Sequence, residues 1–501
     1  MKRALGGISP LIALQRRVAK PLHRQIYDAY REGIISGGLS RGQQVPSTRA
    51  LSSELGVSRI PILEAYSQLL AEGYLETRVG AGTFVSSSLP DQIVPQANSH
   101  KSGKGSRAVA RRAALESWRS RSPWLRESGA FSVGQLAFDH FPFQAWSTLL
   151  ARHARKVNAV SLNYGDAMGY KPFREVLAAY LRTSRGVRCD AEQIMVVSGS
   201  QHALDLCAHV LLDPGDSVWV EEPGYKLLHN TLLMEGCRPV AVPVDDAGLD
   251  VDSGIRKCRR ARAAFVTPSH QYPLGATMTA SRRLQLLDWA QQADSWIIED
   301  DYDSEYRYES MPVASLQGLD QNSRVIYIGT FSKTLFPSLR LGYVVIPADL
   351  VDRFSAVRSA GDICPPLFYQ SVLADFMDQG YYARHIRKTR LLYAERRSVL
   401  VEALTDTLGN SLAILGAEAG MHLTVTLPAG VPDHEISLRA AEDRLWLWPL
   451  SSTYAGKNAR QGFVLGFGST KATDIAKAVR QLSDLLTEPA RKRERSGRRA
   501  G

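Results

Sequence analysis

The segment IYIGTFSKTLFPSLRLGY, residues 326–343, delivers a lysine directly after an apolar strand. Residues 326–328 are β-branched or aromatic and favour a strand, which a glycine ends. Lys333 then follows among hydroxyl residues, and Arg340 comes seven residues later. A single lysine held at a strand end, with a second cation nearby, is typical of a site where the amine reacts with an anionic carbonyl compound.

Outward from this segment, apolar strands alternate with helical patterns over residues 131–488. The strand-like runs are Ile194–Val197, Ser217–Val220, Ala264–Val266, Trp296–Ile298 and Val325–Ile328. Such alternation predicts an α/β domain with a mainly parallel sheet, whose ligands bind at the carboxyl ends of the strands.

Pyridoxal 5′-phosphate (PLP) is a carbonyl cofactor that would explain the lysine. Its phosphate needs cations, hydroxyls and the N–H groups of a helix N-terminus. Its ring nitrogen needs a carboxylate, its phenolate oxygen a donor, and its ring face an aromatic side chain. The sequence offers candidates for all of these at predicted strand ends: Ser200, Gln201, Tyr225, His270, Gln271, Asp300, Tyr302, Thr330, Ser332 and Arg340.

Together and in this order, these residues resemble the fold type I (aspartate aminotransferase-like) PLP enzymes. The resemblance implies that Lys333 is the Schiff-base lysine, that Asp300 holds the pyridine nitrogen and that Tyr302 donates to the phenolate. It also implies that Tyr225 stacks on the ring. The implied phosphate ligands are Ser200, Gln201, Thr330 and Arg340, and the position of the ring-oxygen amide falls on Gln271 or His270.

One feature of that family is missing. Aminotransferases usually hold the substrate α-carboxylate with an arginine that begins a C-terminal strand of the type R-x-S-F. The corresponding stretch here is GFVLGFGST, residues 462–470, and Val464 stands where the arginine would be. Arg460 or an arginine elsewhere remains an alternative. The substitution argues against ordinary α-amino-acid turnover and favours a different ligand, or none besides PLP.

Residues 15–87 predict a separate winged helix-turn-helix (α+β) domain, because helix, helix, short turn, helix and hairpin signals follow one another. The stretch QVPSTRALSSELGVSRIPILEAYSQLLAEGYLETRVGAGTFV, residues 44–85, resembles the DNA-binding domain of the GntR regulator family. Many members carry two hydroxyl residues where this chain has Ile60 and Pro61. The expected DNA-contacting residues are Ser47, Arg49, Ser58, Arg59, Gly82 and Thr83.

Charge supports a polyanionic partner for this domain, although a solvated basic face or a winged helix used for protein contacts remains an alternative. The net charge of +11 is uneven: residues 1–85 carry +5 and residues 86–130 another +5. We interpret residues 88–130 as a basic linker and residues 489–501 as a disordered basic tail. The large middle of the chain is close to neutral.

The remaining composition predicts a cytoplasmic protein. The five cysteines are scattered without a CxxC pair, which favours reduced thiols and gives no metal-ligand pattern. Apolar runs fall short of the roughly 20 residues that a membrane span needs, and we identify no signal peptide.

The combination resembles the MocR subgroup of GntR regulators, in which the aminotransferase-like domain senses PLP, sometimes with an amine or amino acid. That resemblance implies a double-stranded operator DNA partner and a homodimer with head-to-tail arrangement. The alternative is an active PLP-dependent aminotransferase with an accessory DNA-binding module. Val464 and Arg59 favour regulation over catalysis. A scaffold that uses PLP only structurally is a third hypothesis, with no specific support.

Overall fold

The computed structural model describes residues 9–10, 12, 14–15, 20–78, 80–87, 110, 112, 129–157, 162–308, 314–409, 412–428, 430–456 and 458–497, with side chains through residue 487. The chain divides into two compact units, Met1–Val109 and Ala110–Gly501. Most of the predicted linker, residues 88–130, lies outside the described residues, so its boundaries stay a prediction.

The first unit is a winged helix-turn-helix, as predicted. Its elements are α1 (Leu22–Ile35), α2 (Thr48–Leu55), α3 (Arg59–Ala71), β1 (Leu75–Arg78) and β2 (Gly82–Val85). Helix α1 buries Ile26, Tyr30 and Ile34, whose four-residue spacing keeps them on one face. Helix α2 is capped by the Ser47 hydroxyl, which accepts the Ala50 N–H at 3.2 Å. Both the spacing and the cap can be recognised in the sequence. The antiparallel hairpin β1–β2 forms the wing.

The second unit is built on a large mixed sheet. Among the described residues, eight strands form it in the order β3-β10-β9-β8-β7-β4-β5-β6. Their bounds are β3 Ile194–Val197, β4 Ser217–Glu222, β5 Arg238–Asp245, β6 Gly248–Leu249, β7 Ala263–Val266, β8 Trp296–Asp301, β9 Val325–Thr330 and β10 Gly342–Val345. A smaller antiparallel sheet follows in the order β11-β12-β14-β13, with β11 Ala413–Leu415, β12 His422–Thr426, β13 Trp448–Pro449 and β14 Gly462–Gly466.

Helices surround both sheets. They are α4 Phe143–Arg155, α5 Lys171–Arg185, α6 Ser200–Leu211, α7 Lys226–Met234, α8 Val251–Cys258, α9 Ala280–Ala293, α10 Leu316–Leu319, α11 Val351–Asp362, α12 Leu367–Asp378, α13 Tyr381–Leu408, α14 Asp433–Glu442 and α15 Ala472–Gly497. Within the described part of the chain, no helix is long and apolar enough to cross a bilayer.

The strand directions create the site. Strands β9, β8, β7 and β4 run parallel, and β10 is antiparallel to both β9 and β3, so β3 points the same way as β9. Strand β5 is parallel to β4, so the carboxyl ends of six strands meet at one edge of the sheet. Every residue of β9 is buried, as its unbroken apolar run predicts for a central strand.

The C-terminal tail differs from the prediction. Helix α15 continues to Gly497, so residues 489–497 are helical rather than irregular, and residues 498–501 lie outside the described residues. The stretch ARKRER consists of residues with high helix propensity, and this local preference outweighs the argument from charge composition.

Candidate cofactor site and DNA-facing surface

The carboxyl edge of the large sheet collects the predicted cofactor residues. Asp300 is the penultimate residue of β8, and Thr330 is the last residue of β9. Ser200 begins α6 just after β3, and Tyr225 precedes α7 just after β4. Tyr225 and Asp300, which are 75 positions apart in sequence, line one cavity, and Lys333 follows β9 in the loop at the same edge of the sheet.

The Lys333 amine is packed against the backbone of Gly134. A Cβ added to Gly134, whose φ is +75°, would lie only 2.3 Å from Lys333 Nζ. Burial lowers the pKa of Lys333, because it disfavours the charged amine, while the negative charges of Asp303 and Asp300 act in the opposite direction. A lysine with a lowered pKa has more of the neutral amine that attacks a carbonyl.

Asp300 has the properties required of a partner for a cationic ring nitrogen. Burial raises its pKa to about 7, and the negative charges of Asp301, Glu221 and Asp303 add to that effect. Its Oδ1 is buried without a hydrogen-bond partner among the described residues. A buried carboxylate oxygen without a donor is costly, and a protonated pyridine nitrogen would supply the missing donor.

Tyr302 belongs to a short hydrogen-bonded chain with His270 and Asp303. His270 Nδ1 lies 3.2 Å from both carboxylate oxygens of Asp303 and 3.1 Å from the Tyr302 hydroxyl. Nδ1 of His270 thus lies within hydrogen-bonding distance of both the Asp303 carboxylate and the Tyr302 hydroxyl, and these contacts hold Tyr302 in place. The phenol hydroxyl of Tyr302 is itself able to donate a hydrogen bond. This geometry fits the predicted role of Tyr302 as donor to the phenolate.

The predicted phosphate end combines a helix N-terminus with one cation. Gly199, with φ +97°, precedes the twelve-residue helix α6, and the Nη1 of Arg340 lies 3.5 Å from the position of a Cβ on Gly199. Arg340 itself adopts a left-handed backbone, with φ +52°. Thr330 Oγ1 accepts the backbone N–H of Ser332 at 3.2 Å at the same strand end. Cation, hydroxyls and helix N-terminus thus converge where a phosphate would bind.

Gln201 and Tyr225 differ in their relation to the cavity. Gln201 lies in the first turn of α6, and its side-chain amide donates to Thr231 Oγ1 on α7 at 2.8 Å, whereas Tyr225 lines the cavity. Burial raises the pKa of Tyr225 to about 12, with the charge of Asp300 raising it further and that of Arg340 lowering it. Tyr225 is therefore near both ends of the predicted cofactor, as a stacking ring should be.

The structure does not support Gln271 as a ligand of the ring oxygen. Its amide Nε2 donates to Glu221 Oε2 at 3.1 Å and to the Pro223 carbonyl at 2.9 Å, and its Oε1 accepts the Leu274 N–H. Gln271 thus holds the loop before Tyr225. His270 is buried, and its Nδ1 contacts the Tyr302 hydroxyl and the Asp303 carboxylate. Five residues that were not predicted from sequence also belong to the site: Gly134 and Asp303 beside Lys333, and Glu221, Thr267 and Tyr272 in the cavity lining.

Val464 is buried and uncharged, and it stands where aminotransferases usually have the arginine that binds the substrate α-carboxylate. It is fully buried in β14, where it pairs with Thr424 and Trp448, and it packs among apolar side chains. Arg460 precedes that strand, is exposed, and its charge lowers the pKa of Tyr454, although burial raises that pKa overall. Tyr454 lies between Thr453 and Ala455, which both line the cavity, so Arg460 acts on a residue next to the cavity.

The predicted DNA-contacting residues lie around the N-termini of α2 and α3. Arg49 is exposed in the first turn of α2. Ser58 precedes α3, and its hydroxyl makes no capping hydrogen bond, so it is free for a phosphate. Arg59 Nε donates to Thr48 Oγ1 at 2.9 Å, which orients the guanidinium at the start of α3. Two helix N-termini with exposed arginines form a surface that attracts anions.

Gly82 and Thr83 lie in the wing. Gly82 has φ +112°, a backbone conformation that favours glycine. A Cβ at this position would also lie only 3.0 Å from Gln44 Nε2, which is a close contact. Thr83 pairs with Thr77 in the hairpin and is half-buried. Gly82 is exposed to solvent, whereas Thr83, which is also predicted to contact DNA, is partly buried.

The cavity residues fit PLP. Three observations support the fit: the orphaned carboxylate oxygen of Asp300, the lysine amine against Gly134, and the cation beside Gly199. When bound, PLP supplies an aldehyde that reacts with a primary amine, and Lys333 is the amine that the fold provides.

Comparisons with known proteins agree with both units. Residues 22–85 match the family described as bacterial regulatory proteins, gntR family, and residues 130–455 match aminotransferase class I and II. The probable rhizopine catabolism regulatory protein MocR of Rhizobium meliloti is 40% identical over 94% of this chain and 95% of its own. The pyridoxine biosynthesis transcriptional regulator PdxR of Corynebacterium glutamicum is 30% identical over 95% and 98%.

Among solved structures, the Pyrococcus horikoshii kynurenine aminotransferase, in complex with PMP, covers 78% of this chain and 96% of its own, with 29% identity and a TM-score of 0.68. Fold and site thus define a DNA-binding transcriptional regulator with a PLP-binding, fold type I domain. The chain belongs to the MocR subgroup of the GntR regulators.

Proposed function

We propose that the second unit senses PLP, alone or together with an amine or amino acid, and that its occupancy changes how the first unit binds operator DNA. The observation that carries the proposal is a cofactor site without the usual carboxylate clamp: Lys333 and Asp300 are poised for PLP, while Val464 is buried. A site that binds the cofactor but lacks the usual hold on α-amino acids suits a sensor better than a catalyst.

A contact between the large sheet of the second unit and the part that carries the sheet β11-β12-β14-β13, here called the smaller lobe, supports a conformational signal. The Glu222 carboxylate accepts the backbone N–H groups of Ala455 and Gly456 at 2.9 and 2.8 Å, and the Gly224 N–H donates to the Thr453 carbonyl at 3.1 Å. These bonds join the loop before Tyr225 to the segment between β13 and β14. A ligand that moves the Tyr225 loop would therefore move the smaller lobe.

The ligand class follows from the charges at the cavity. Without an arginine at position 464, we expect PLP alone, or an amine whose recognition does not depend on an α-carboxylate. The names of two relatives mention the regulation of pyridoxine biosynthesis and of rhizopine catabolism, so we test PLP and amines separately. If an amino acid binds, Arg460 is the residue we expect to hold its carboxylate.

We also propose that the protein acts as a homodimer on two operator half-sites, in the cytoplasm. Leu162 and Tyr164 are 75% and 78% exposed, beside a groove lined by Pro365, Pro366 and Leu367. Large exposed apolar side chains of this kind mark protein contacts, and a second copy would cover them. Light scattering should give twice 55.2 kDa; a monomer at micromolar concentration would contradict the proposal.

An assay that separates sensor from enzyme tests the proposal. The full chain, loaded with PLP, is given a panel of amines and amino acids with a keto-acid acceptor, and binding to its upstream DNA is measured in parallel. We expect specific DNA binding without multiple turnovers. Sustained transamination without specific DNA binding would favour the alternative, an aminotransferase with an accessory DNA-binding module.

A further inference from the structure

Helix α3 exposes two large apolar side chains. Ile60 is 66% exposed and Leu63 is 43% exposed, whereas Ile62 and Leu69 of the same helix are fully buried. Residues three apart are neighbours on a helix surface, so Ile60 and Leu63 form one small apolar patch in the first two turns of α3. The core of the first unit does not use this patch.

The surroundings of the patch are polar and basic. Ser58 and Arg59 lie next to the patch at the start of α3, and Arg49 is exposed on α2. Arg59 donates a hydrogen bond to Thr48, the residue before Arg49. Glu64, on the flank of α3, is paired with His23 at 3.2 Å. An apolar protein partner would have to bury this arginine without compensation, while the net charge of +5 over residues 1–85 favours a polyanion.

We propose that Ile60 and Leu63 read thymine C5-methyl groups in the major groove. This inference rests on the docking of α3 in the major groove that the proposed function implies. Of the four bases, thymine alone presents a methyl group there, and apolar side chains recognise it by excluding water. The patch would thus give base specificity through apolar contact, beside the polar contacts of Arg59.

The test removes single methyl groups from the DNA. A preferred site is first selected from a random duplex library with the full-length protein. It is then synthesised with 2′-deoxyuridine in place of one thymine at a time, which deletes only the C5-methyl group. At one or two thymines in each half-site we expect the affinity of the wild-type protein to fall about 3- to 5-fold, from the transfer free energy of one methyl-sized group.

Matched variants connect the effect to the patch. Ile60→Ala and Leu63→Ala should each lower the affinity for the selected DNA site. Each variant should also bind equally well with thymine or uracil at one of the sensitive positions, because the side chain that contacts the methyl group is absent. Ser67→Ala, at an exposed position one turn further along α3, should keep the full uracil effect. Ile60→Val should show an intermediate effect, and circular dichroism should be unchanged because these positions are exposed.

Three results would overturn the inference, and only the third would also overturn the proposed function. If uracil is tolerated at every thymine while the selected site is still bound tightly, the patch does not read methyl groups and the proposed function stands. The same holds if the alanine variants remain as sensitive to uracil as the wild type. If no site is selected at all, this inference fails together with the docking on which it rests.

Discussion

Asp300→Asn should act in opposite directions on the stability of the protein and on its affinity for PLP. Burial and three neighbouring carboxylates raise the pKa of Asp300 from 3.8 to about 7. Because the folded-state pKa is the higher one, the folded protein binds more protons than the unfolded chain between these values. Stability is therefore fully present below pH 3.8 and is lost as the pH rises through 7.

The size of the effect follows from the shift. About three pKa units at 1.36 kcal/mol each give roughly 4 kcal/mol, and because Asp300 keeps some exposure to the cavity we expect about 2–4 kcal/mol. Asparagine has the same shape and does not titrate, so the PLP-free variant should be more stable than the wild type at pH 8. The same change removes a charge-assisted hydrogen bond to the ring nitrogen, which is worth about 1.5–3 kcal/mol, so PLP should bind about 10- to 150-fold more weakly.

Thermal unfolding of both proteins without PLP, measured from pH 4 to pH 8, tests the first half. The difference between variant and wild type removes the contribution of buried carboxylates that do not act on Asp300, such as Glu299, which is present in both. We expect the difference to be largest at pH 8 and to shrink toward pH 4. A variant less stable than the wild type at pH 8, or a difference independent of pH, would refute the reasoning.

Three other substitutions test separate parts of the account. Lys333→Ala should abolish the visible absorbance of covalently bound PLP and leave a folded protein by circular dichroism; retained absorbance would mean that another lysine reacts. Arg59→Ala should lower the preference for operator over random DNA by about 1–3 kcal/mol with unchanged PLP absorbance; an unchanged preference would contradict the docking of α3. Arg185→Leu leaves the buried Asp301, now 2.6 Å from Arg185 Nη2, without its cation and should cost about 3–5 kcal/mol in calorimetry. Adding Asp301→Asn should recover part of that loss, and no recovery would point to packing instead of charge.

Sequence patterns predicted the parts of this protein that depend on local order. The helices of the winged domain follow from the spacing of Ile26, Tyr30 and Ile34 and from the cap at Ser47. The five quoted strands appear where the apolar runs predicted them. The end of each strand is also where the predicted polar side chains lie, because the strand directions bring those ends to one edge.

Contacts made at long range were not predictable in the same way. Gly134 touches Lys333 across almost 200 positions of sequence, and its glycine gave no periodic signal. Gln271 and His270 are adjacent, so the sequence could not decide which of the two side chains would contact the ring oxygen. The hydrogen bond from Gln271 to Glu221 argues against Gln271 in that role. Asp303 was visible in the acidic run after β8, but its role depends on the contact with His270.

Binding of the full-length protein to its own upstream DNA during a titration with PLP, with no amino acid present, tests the central claim most directly. Typical coupling of about 1–3 kcal/mol corresponds to a change in affinity of about 5- to 150-fold, and Lys333→Ala should remove that change. The account predicts such a shift in the wild type alone. Specific binding that is the same with and without PLP, and with each amine added in turn, would contradict it.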